Sequence, residues 1–390
     1  MPTRRTAALA LFDPESHESL VDEPWDPAAI EAAVREIVAE TEAAFDDGWP
    51  QHPEDEPAPV RFRSLYIGGA GVIRALDGLR QRGLAELGRD YVPYLEQDYV
   101  PDEPDTDNRP GLLTGETGIR LVLQRIEPSN ENLNRLAELI AANAQDEHLE
   151  LLWGSPGTML AAADLHRMTG EARWSELWQD SAVWLEGQRD PESGIWTQTI
   201  VGRKGRYLGP AHGFAGCMLA LAAFGSLPEL DEHAVTVANR FVVEEGGLAN
   251  WPPGADGDLR PNDQPIRVQW CHGAPGMVAS LAQLARNDDE HDRLLRAGGE
   301  LTWRAGPLAK GPGLCHGTAG NGYAFLALLE RTGDELWLER ARAFAMHAAT
   351  QVARARETYG RGRFTLWTGD LGVALYLADC LAGGGTLPLP

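Results

Sequence analysis

The stretch Gly313–Phe325 reads GLCHGTAGNGYAF, and it holds the pattern that decides the fold of this 390-residue chain. Two glycines frame the element G-x-x-G, and an apolar run follows them. The same element recurs six more times, and each copy again opens an apolar run. The seven copies begin at Gly68, Gly115, Gly154, Gly213, Gly273, Gly317 and Gly369. Seven copies of this kind indicate an internal repeat rather than chance use of a common residue.

The segments between the copies are amphipathic, with apolar residues at helical spacing. Four clear examples are residues 28–45, 131–144, 171–188 and 335–355. A helix that is apolar all round has to be buried, so the apolar runs predict inner helices and the amphipathic segments outer ones. The sequence therefore predicts an all-α protein, an α/α toroid of seven helical-hairpin repeats. We assign residues 26–390 to this single domain and 1–25 to an N-terminal extension, and we interpret the glycines as packing residues.

Composition excludes several classes of partner. The formal net charge is −24, and such a surface repels phosphate backbones and anionic lipids, so we expect neither nucleic acid nor membranes as partners.

No apolar run is long enough to span a bilayer. The N-terminus begins like a signal peptide, but its apolar run at 7–12 is too short, and we predict a cytoplasmic protein. Four cysteines are too few for a disulfide scaffold.

The two residues before each G-x-x-G separate the repeats into two groups. Four repeats carry apolar or hydroxyl residues there, whereas repeats four to six carry His212, Cys271-His272 and Cys315-His316. Equivalent turns of a ring face the same end, so these side chains should converge. Thiolate and imidazole together favour zinc, and two cysteines with one histidine leave a fourth position open, as in catalytic zinc sites. Cys217 and Cys380 lie inside helical runs, and we interpret them as core residues.

An open zinc site rich in thiolate keeps an incoming thiol deprotonated, and the thiolate is the nucleophile. Such chemistry also needs a proton donor and a group that stabilises negative charge. His212 is the candidate acid, because it occupies the matching position in the adjacent repeat. Arg267, four residues before Cys271, is the candidate for charge stabilisation. The alternatives are a turn histidine that is satisfied by the backbone and a solvated arginine.

The motifs AHGFAG, WCHGAPG and GLCHGTAGNGYAF, in this order, resemble the lanthionine synthetase C-like family. The resemblance covers nearly the whole chain and implies an α/α toroid that holds one zinc ion. By motif match it implies Cys271, Cys315 and His316 as zinc ligands, His212 as the catalytic histidine and Arg267 as the family's arginine. It also implies the reaction: a zinc-activated thiol adds to dehydroalanine or dehydrobutyrine, and protonation at Cα leaves a thioether.

Within this family the chain is more similar to the stand-alone members than to the lanthipeptide cyclases. His272 follows Cys271 where the cyclases typically have tyrosine, so it joins the catalytic candidates. Lys310 matches a lysine that the stand-alone branch presents near glutathione, which makes it the candidate substrate-binding residue. The implied partners are glutathione or a cysteine-containing peptide as thiol donor, and a dehydrated peptide or protein as acceptor. The aspartate that cyclases use has no clear counterpart in this sequence.

Two other functions are compatible with parts of the sequence. An α/α-toroid glycosidase would need two carboxylates at the mouth, and Glu116 and Asp370 follow the first glycine of repeats two and seven. We interpret both as first-turn acids that the helix dipole favours. A module that binds zinc and glutathione without catalysis would use the same residues as the enzyme.

Overall fold

The structure is a computed structural model that describes residues 10–55, 57–58, 61–101, 109–255 and 264–390. The first nine residues of the N-terminal extension assigned above, and with them the start of the signal-like run, lie outside the described residues.

Fourteen α-helices make up most of the described chain. In chain order they are α1 (Pro27–Ala44), α2 (Gly69–Gln81), α3 (Val92–Leu95), α4 (Glu116–Ile126), α5 (Asn130–Asn143), α6 (Ser155–Thr169), α7 (Ala172–Gly187), α8 (Phe214–Leu221), α9 (Pro228–Phe241), α10 (Ala274–Leu281), α11 (Asp289–Ala305), α12 (Thr318–Thr332), α13 (Leu336–Tyr359) and α14 (Asp370–Ala382). Two antiparallel hairpins accompany them: β1 (Gln198–Ile200) with β2 (Arg203–Gly205), and β3 (Val243–Glu245) with β4 (Leu248–Asn250). Among the described residues, no helix combines the length and apolarity needed to cross a bilayer.

The even-numbered helices form a closed inner ring. Each begins at one of the seven G-x-x-G elements, and most of its residues are buried. Successive inner helices pack against each other from α2 round to α14, and α14 packs back against α2. A ring of helices that are apolar on nearly every face buries those faces only if a second layer surrounds it.

The outer layer consists of α1, α5, α7, α9, α11 and α13, with the four-residue α3 in the first repeat. Each long outer helix packs against the inner helix before it, and α1 packs against α14. The N-terminal helix thus completes the last hairpin and closes the ring between the two ends of the chain. The predicted α/α toroid, with an inner and an outer ring, is confirmed.

The repeated glycines have two structural roles. The first glycine of each G-x-x-G is the N-cap of an inner helix. A Cβ on the second glycine would lie 1.7–2.3 Å from the carbonyl oxygen of the residue six positions earlier, and this holds in all seven repeats. Such a distance leaves no room for a side chain, so the second position requires glycine. The interpretation of the glycines as packing residues is confirmed.

Backbone hydrogen bonds link equivalent positions of neighbouring turns. They join the residues that stand two positions before successive G-x-x-G elements, with the amide nitrogen of one donating to the carbonyl of the next. The links are Tyr66 to Leu113 (2.8 Å), Leu113 to Leu152 (3.2 Å), Cys271 to Cys315 (3.0 Å), Cys315 to Trp367 (2.8 Å) and Trp367 to Tyr66 (3.1 Å). The turns therefore share one end of the toroid, where their side chains meet.

Candidate functional site

Cys271, Cys315 and His316 form a compact group at this end of the toroid. Their potential ligand atoms all lie within 4.8 Å of one another. The two cysteines are buried, and His316 is partly exposed. The cysteines come from the turns that precede α10 and α12, and the backbone hydrogen bond between them fixes the spacing of those turns. No other group of three such ligands occurs among the residues that the structure describes.

The surroundings of the two thiols suit a soft metal ion. Cys315 donates a hydrogen bond to Cys271, and the nearby imidazoles of His272 and His316 assist it, so the pKa of Cys271 lies well below its usual value despite burial. Cys315 keeps the proton, and its pKa is raised. The amide of Gln269 donates to Cys271 Sγ at 2.9 Å. Two thiols and an imidazole at this spacing fit zinc, whose binding would require both thiols to be deprotonated.

His212 is held by a carboxylate that the sequence analysis did not identify. Its Nδ1 lies 2.9 Å from Oε2 of Glu150. Glu150 is fully buried, and it also accepts hydrogen bonds from the backbone nitrogens of Leu152, Trp153 and Gly154. Burial acts to lower the pKa of His212, but the hydrogen bond and charge of Glu150, together with the charge of Cys271, raise it above its usual value.

Aromatic rings fix the orientation of His212 and connect it with His272. Trp153 stacks against His212 with ring centroids 5.7 Å apart. The ring of Tyr207 lies 6.1 Å from that of His212 and 6.4 Å from that of His272, on which it stacks with an angle of 28° between the ring planes. His272 is partly exposed. The candidate histidines of repeats four and five thus contact a common tyrosine.

Arg267 and Lys310 are both exposed, and both line a cavity of about 460 Å³. Lys310 also lines a second cavity, of about 600 Å³, together with His316. Lys310 therefore lies at the boundary of two cavities, one lined by His316 and the other by Arg267. The structure brings the predicted site residues to one end of the toroid, with the cysteines and His316 in direct proximity and the two basic residues at the rim.

A comparison of the turns two positions further back would have identified Glu150. It stands four residues before its G-x-x-G, where the other repeats carry serine, threonine, glycine or glutamine. It is the one carboxylate in that position, and it belongs to the repeat next to that of His212. Tyr66 occupies the same position in its repeat as the two cysteines, and its hydroxyl hydrogen-bonds to Cys315. In the sequence this tyrosine belongs to the apolar or hydroxyl group of turn residues and was not among the candidate site residues.

The two acids considered for a glycosidase have other partners. Glu116 is buried and forms ion pairs with Arg120 at 3.0 Å and Arg135 at 2.8 Å. Burial acts to raise its pKa, but the hydrogen bonds from both arginines hold it below its usual value. Asp370 is buried at the start of α14 and accepts a hydrogen bond from the backbone nitrogen of Arg363.

Known proteins resemble this chain over most of its length. The sequence profile of the family described as "Lanthionine synthetase C-like protein" matches residues 59–387. "Glutathione S-transferase LANCL1" of Danio rerio is 30% identical over 282 residues, which cover 66% of each chain. "LanC-like protein GCL1" of Arabidopsis thaliana is 35% identical over 210 residues, which cover 51% of this chain and 46% of the relative. The matched parts thus span 66% and 46% of these curated relatives.

The solved structure of nisin cyclase has the same fold. It superposes with a TM-score of 0.57 at 16% sequence identity, over 92% of this chain and 99% of that chain. At this level of identity the likeness concerns the toroid alone. The family match, which extends from the first G-x-x-G element to beyond the last, identifies this chain as a member of the lanthionine synthetase C-like family.

Proposed function

We propose that this protein is a zinc-dependent enzyme that forms thioethers. It adds a thiol to a dehydroalanine or dehydrobutyrine residue of a peptide or protein. The observation that carries the proposal is the grouping of Cys271, Cys315 and His316 within 4.8 Å, close enough to His212 for the charge of Cys271 to raise the pKa of that histidine. A metal-ligand set and a proton donor in one place are what this addition requires.

Cys271, Cys315 and His316 are the residues that would hold zinc. When bound, the ion supplies a Lewis acid that keeps an incoming thiol ionised near neutral pH. The protein contributes the supports behind the ligands. Gln269 donates to Cys271, and Tyr66 hydrogen-bonds to Cys315, so both sulfur atoms are held in place before a metal or substrate arrives.

The proton donor is Nε2 of His212. Nδ1 is engaged by Glu150, so the other ring nitrogen is the one that faces a reacting group. In the addition the sulfur–Cβ bond forms, the Cα–Cβ π bond breaks, and Cα takes up one proton, so no oxidant or reductant is needed. The hydrogen bond and charge of Glu150 raise the pKa of His212 and so favour the protonated imidazole that a proton donor needs. Arg267 and His272 would stabilise the negative charge that develops on the acceptor's carbonyl oxygen.

Lys310 would bind a carboxylate of the thiol donor. It lines the same cavity as His316, and an ammonium group in the cavity beside a metal site suits an anionic thiol. The name of the Danio rerio relative, a glutathione S-transferase, favours glutathione over a peptide cysteine. All four cysteines are free, which agrees with the proposed cytoplasmic location.

A single incubation tests the reaction. The zinc-loaded protein is mixed with glutathione and a peptide that contains dehydrobutyrine, and the peptide is analysed by mass spectrometry. We expect a mass gain of one glutathione per dehydrobutyrine. His212→Ala is the matched control, because it should keep the metal and lose most of the rate, typically 10²–10⁴-fold for a general acid.

Two other results would change the proposal. A peptide with its own cysteine that loses reactivity toward iodoacetamide, without a change of mass, would indicate cyclisation rather than glutathione addition. Binding of glutathione with no adduct on any dehydrated peptide would indicate a binding module.

A further inference from the structure

The N-terminal strap, which we define as residues 10–18, lies across the two loops that carry Arg267 and Lys310. The backbone nitrogen of Ile266 donates to the carbonyl of Ala10 at 3.0 Å. On the other side, the nitrogen of Ala309 donates to the carbonyl of Ser16 at 3.1 Å. The strap therefore bridges the residue next to Arg267 and the residue next to Lys310.

Side chains of the strap anchor it to the toroid as well. Nδ1 of His17 lies 2.9 Å from the carbonyl of Gly306, and His17 pairs with Leu308 as an isolated antiparallel bridge. Glu18 accepts from Nε2 of His347 on α13 at 2.9 Å. These contacts hold the strap to the loop of Lys310 and to the outer helix behind it.

Asn250, the last residue of β4, ties the strap to the other loop. Its amide nitrogen donates to the carbonyls of Leu11, at 2.7 Å, and of Arg267, at 3.3 Å. Its oxygen accepts from the backbone nitrogens of Trp251, at 2.9 Å, and of Ala274, at 2.7 Å. Asn250 is fully buried, and every donor and acceptor of its amide is used. One side chain thus connects the strap, the backbone of the candidate arginine and the first residue of α10.

The local backbone confirms how closely these parts fit. Gly273, between His272 and α10, has φ of +110°, and a Cβ there would lie 2.0 Å from the carbonyl oxygen of Arg267. The chain from Arg267 to Gly273 is therefore a tight turn with Cys271 and His272 inside it. A displacement of the Arg267 carbonyl would be transmitted to both of these residues.

The strap also forms one wall of the cavity that Arg267 and Lys310 line. Asp13, Ser16 and His17 contribute from the strap to this cavity of about 460 Å³. The opposite wall belongs to the two loops.

We propose that the N-terminal strap and Asn250 are positioning elements for the active site. They hold the loops of Arg267 and Lys310 at a fixed separation beside the metal group, although neither touches the reacting atoms. The proposal rests on the proposed function, in which those two side chains act on the substrates. Loops that lose such anchors open locally, and small displacements of positioned groups cost rate.

Asn250→Asp removes the hydrogen-bond donor of the side-chain amide and keeps the shape of the side chain. The aspartate keeps an acceptor for Trp251 and Ala274, but it loses the donor to Leu11 and Arg267. Asn239→Asp is the matched control, because Asn239 also donates to a backbone carbonyl, within outer helix α9. Hydrogen exchange measured by mass spectrometry should become about tenfold faster at residues 264–270 in the Asn250 variant and remain unchanged in the control.

A second variant tests the strap itself, and it keeps the proposal testable if the Asn250 variant misfolds. His17→Ala with Glu18→Ala removes two partly exposed side chains that lie outside the metal group. We expect faster exchange at residues 306–311, an unchanged zinc content, and a KM for glutathione that rises about tenfold while kcat changes less. If the strap had only a structural role, the double variant would have a lower melting temperature, but its KM for glutathione would not change more than its kcat.

Unchanged exchange in both loops would overturn the proposal, and so would faster exchange with an unaltered KM. Hydrogen exchange requires no substrate. The absence of thioether formation by the wild-type protein would therefore count against the proposed function and leave the exchange result as an independent test of the strap.

Discussion

Nδ1 of His212 lies 2.9 Å from Oε2 of Glu150, a carboxylate that has no exposure to solvent. Because backbone nitrogens of the following turn also donate to Glu150, the carboxylate cannot turn toward another partner. The imidazole is therefore fixed with Nδ1 toward the protein and Nε2 toward the end of the toroid. A residue of repeat three thus sets the protonation and orientation of the candidate acid in repeat four.

We predict that Glu150→Gln lowers the pKa of His212 and slows the reaction. Glu150 contributes a hydrogen bond and a negative charge that raise this pKa, and glutamine retains only part of the hydrogen bonding. If protonated His212 is the acid, activity falls as pH rises through its pKa, and in the variant this fall moves to lower pH. The measurement is the pH dependence of kcat/KM, with an expected loss at pH 7.5 of about 10–100-fold.

Glu42→Gln serves as the control, because Glu42 also accepts a side-chain hydrogen bond, from Tyr91, on a different part of the toroid. A pH profile of Glu150→Gln that differs from the wild type only in height would contradict the role assigned to this pair.

We predict that zinc content depends on the two cysteines of the turns, Cys271 and Cys315, and not on the two cysteines inside helices, Cys217 and Cys380. Cys315→Ala leaves two of the three candidate ligands, so we expect the zinc content of the purified protein to fall from about one per chain to near zero. Cys217→Ala is the matched control, since Cys217 is buried in α8 and its thiol donates to a backbone carbonyl. Elemental analysis measures the zinc content of each variant, and retention of zinc by Cys315→Ala would refute the ligand assignment.

The second glycine of each repeat should be intolerant of any side chain. In Gly276→Ala the new Cβ would lie 1.8 Å from the carbonyl oxygen of Trp270, so α10 would have to move away from the turn of Cys271. We expect a loss of stability of about 3 kcal/mol or more. Gly187→Ala, at the end of α7, meets nothing within 4 Å and should be neutral or stabilising by about 0.5 kcal/mol.

Thermal unfolding of the two variants and the wild type provides the comparison. Equal melting temperatures for Gly276→Ala and Gly187→Ala would show that the inner helices adjust to an added methyl group.

The architecture and the metal group were accessible from sequence because both depend on the repeat. Alignment of the seven turns gives the helices their order and brings Cys271 and Cys315 into one register although 44 residues separate them. Backbone hydrogen bonds between equivalent turn positions are the physical reason that this comparison works. A repeat unit fixes which residues face the same end of the ring.

The remaining contacts depend on features that do not repeat. Glu150 reaches His212 of the adjacent repeat through a side-chain contact, and Asn250 lies in a hairpin inserted between repeats four and five. The strap precedes the first repeat altogether. Its hydrogen bonds to the loops of Arg267 and Lys310 use backbone atoms, which have no sequence signature. For this reason the sequence indicated the candidate metal ligands but not the residues that position the loops of Arg267 and Lys310.

The last prediction concerns Asp370, whose buried carboxyl should make folding stability depend on pH. Burial, with a smaller contribution from the charge of Glu40, raises its pKa from 3.8 to about 7, although the backbone and charge of Arg363 and the charge of Arg356 act in the opposite direction. The folded state therefore holds this proton more tightly than the unfolded chain. The stabilisation is fully present below pH 3.8 and is lost as pH rises through about 7.

Asp370→Asn removes this titration while it keeps an acceptor for the nitrogen of Arg363. We expect the stability of the variant relative to the wild type to increase by about 2 kcal/mol between pH 5 and pH 8, measured by denaturant unfolding at both pH values. Asp180→Asn, an exposed position on α7, should show no such change. A relative stability of Asp370→Asn that stays constant across this range would mean that the Asp370 carboxyl remains ionised in the folded protein.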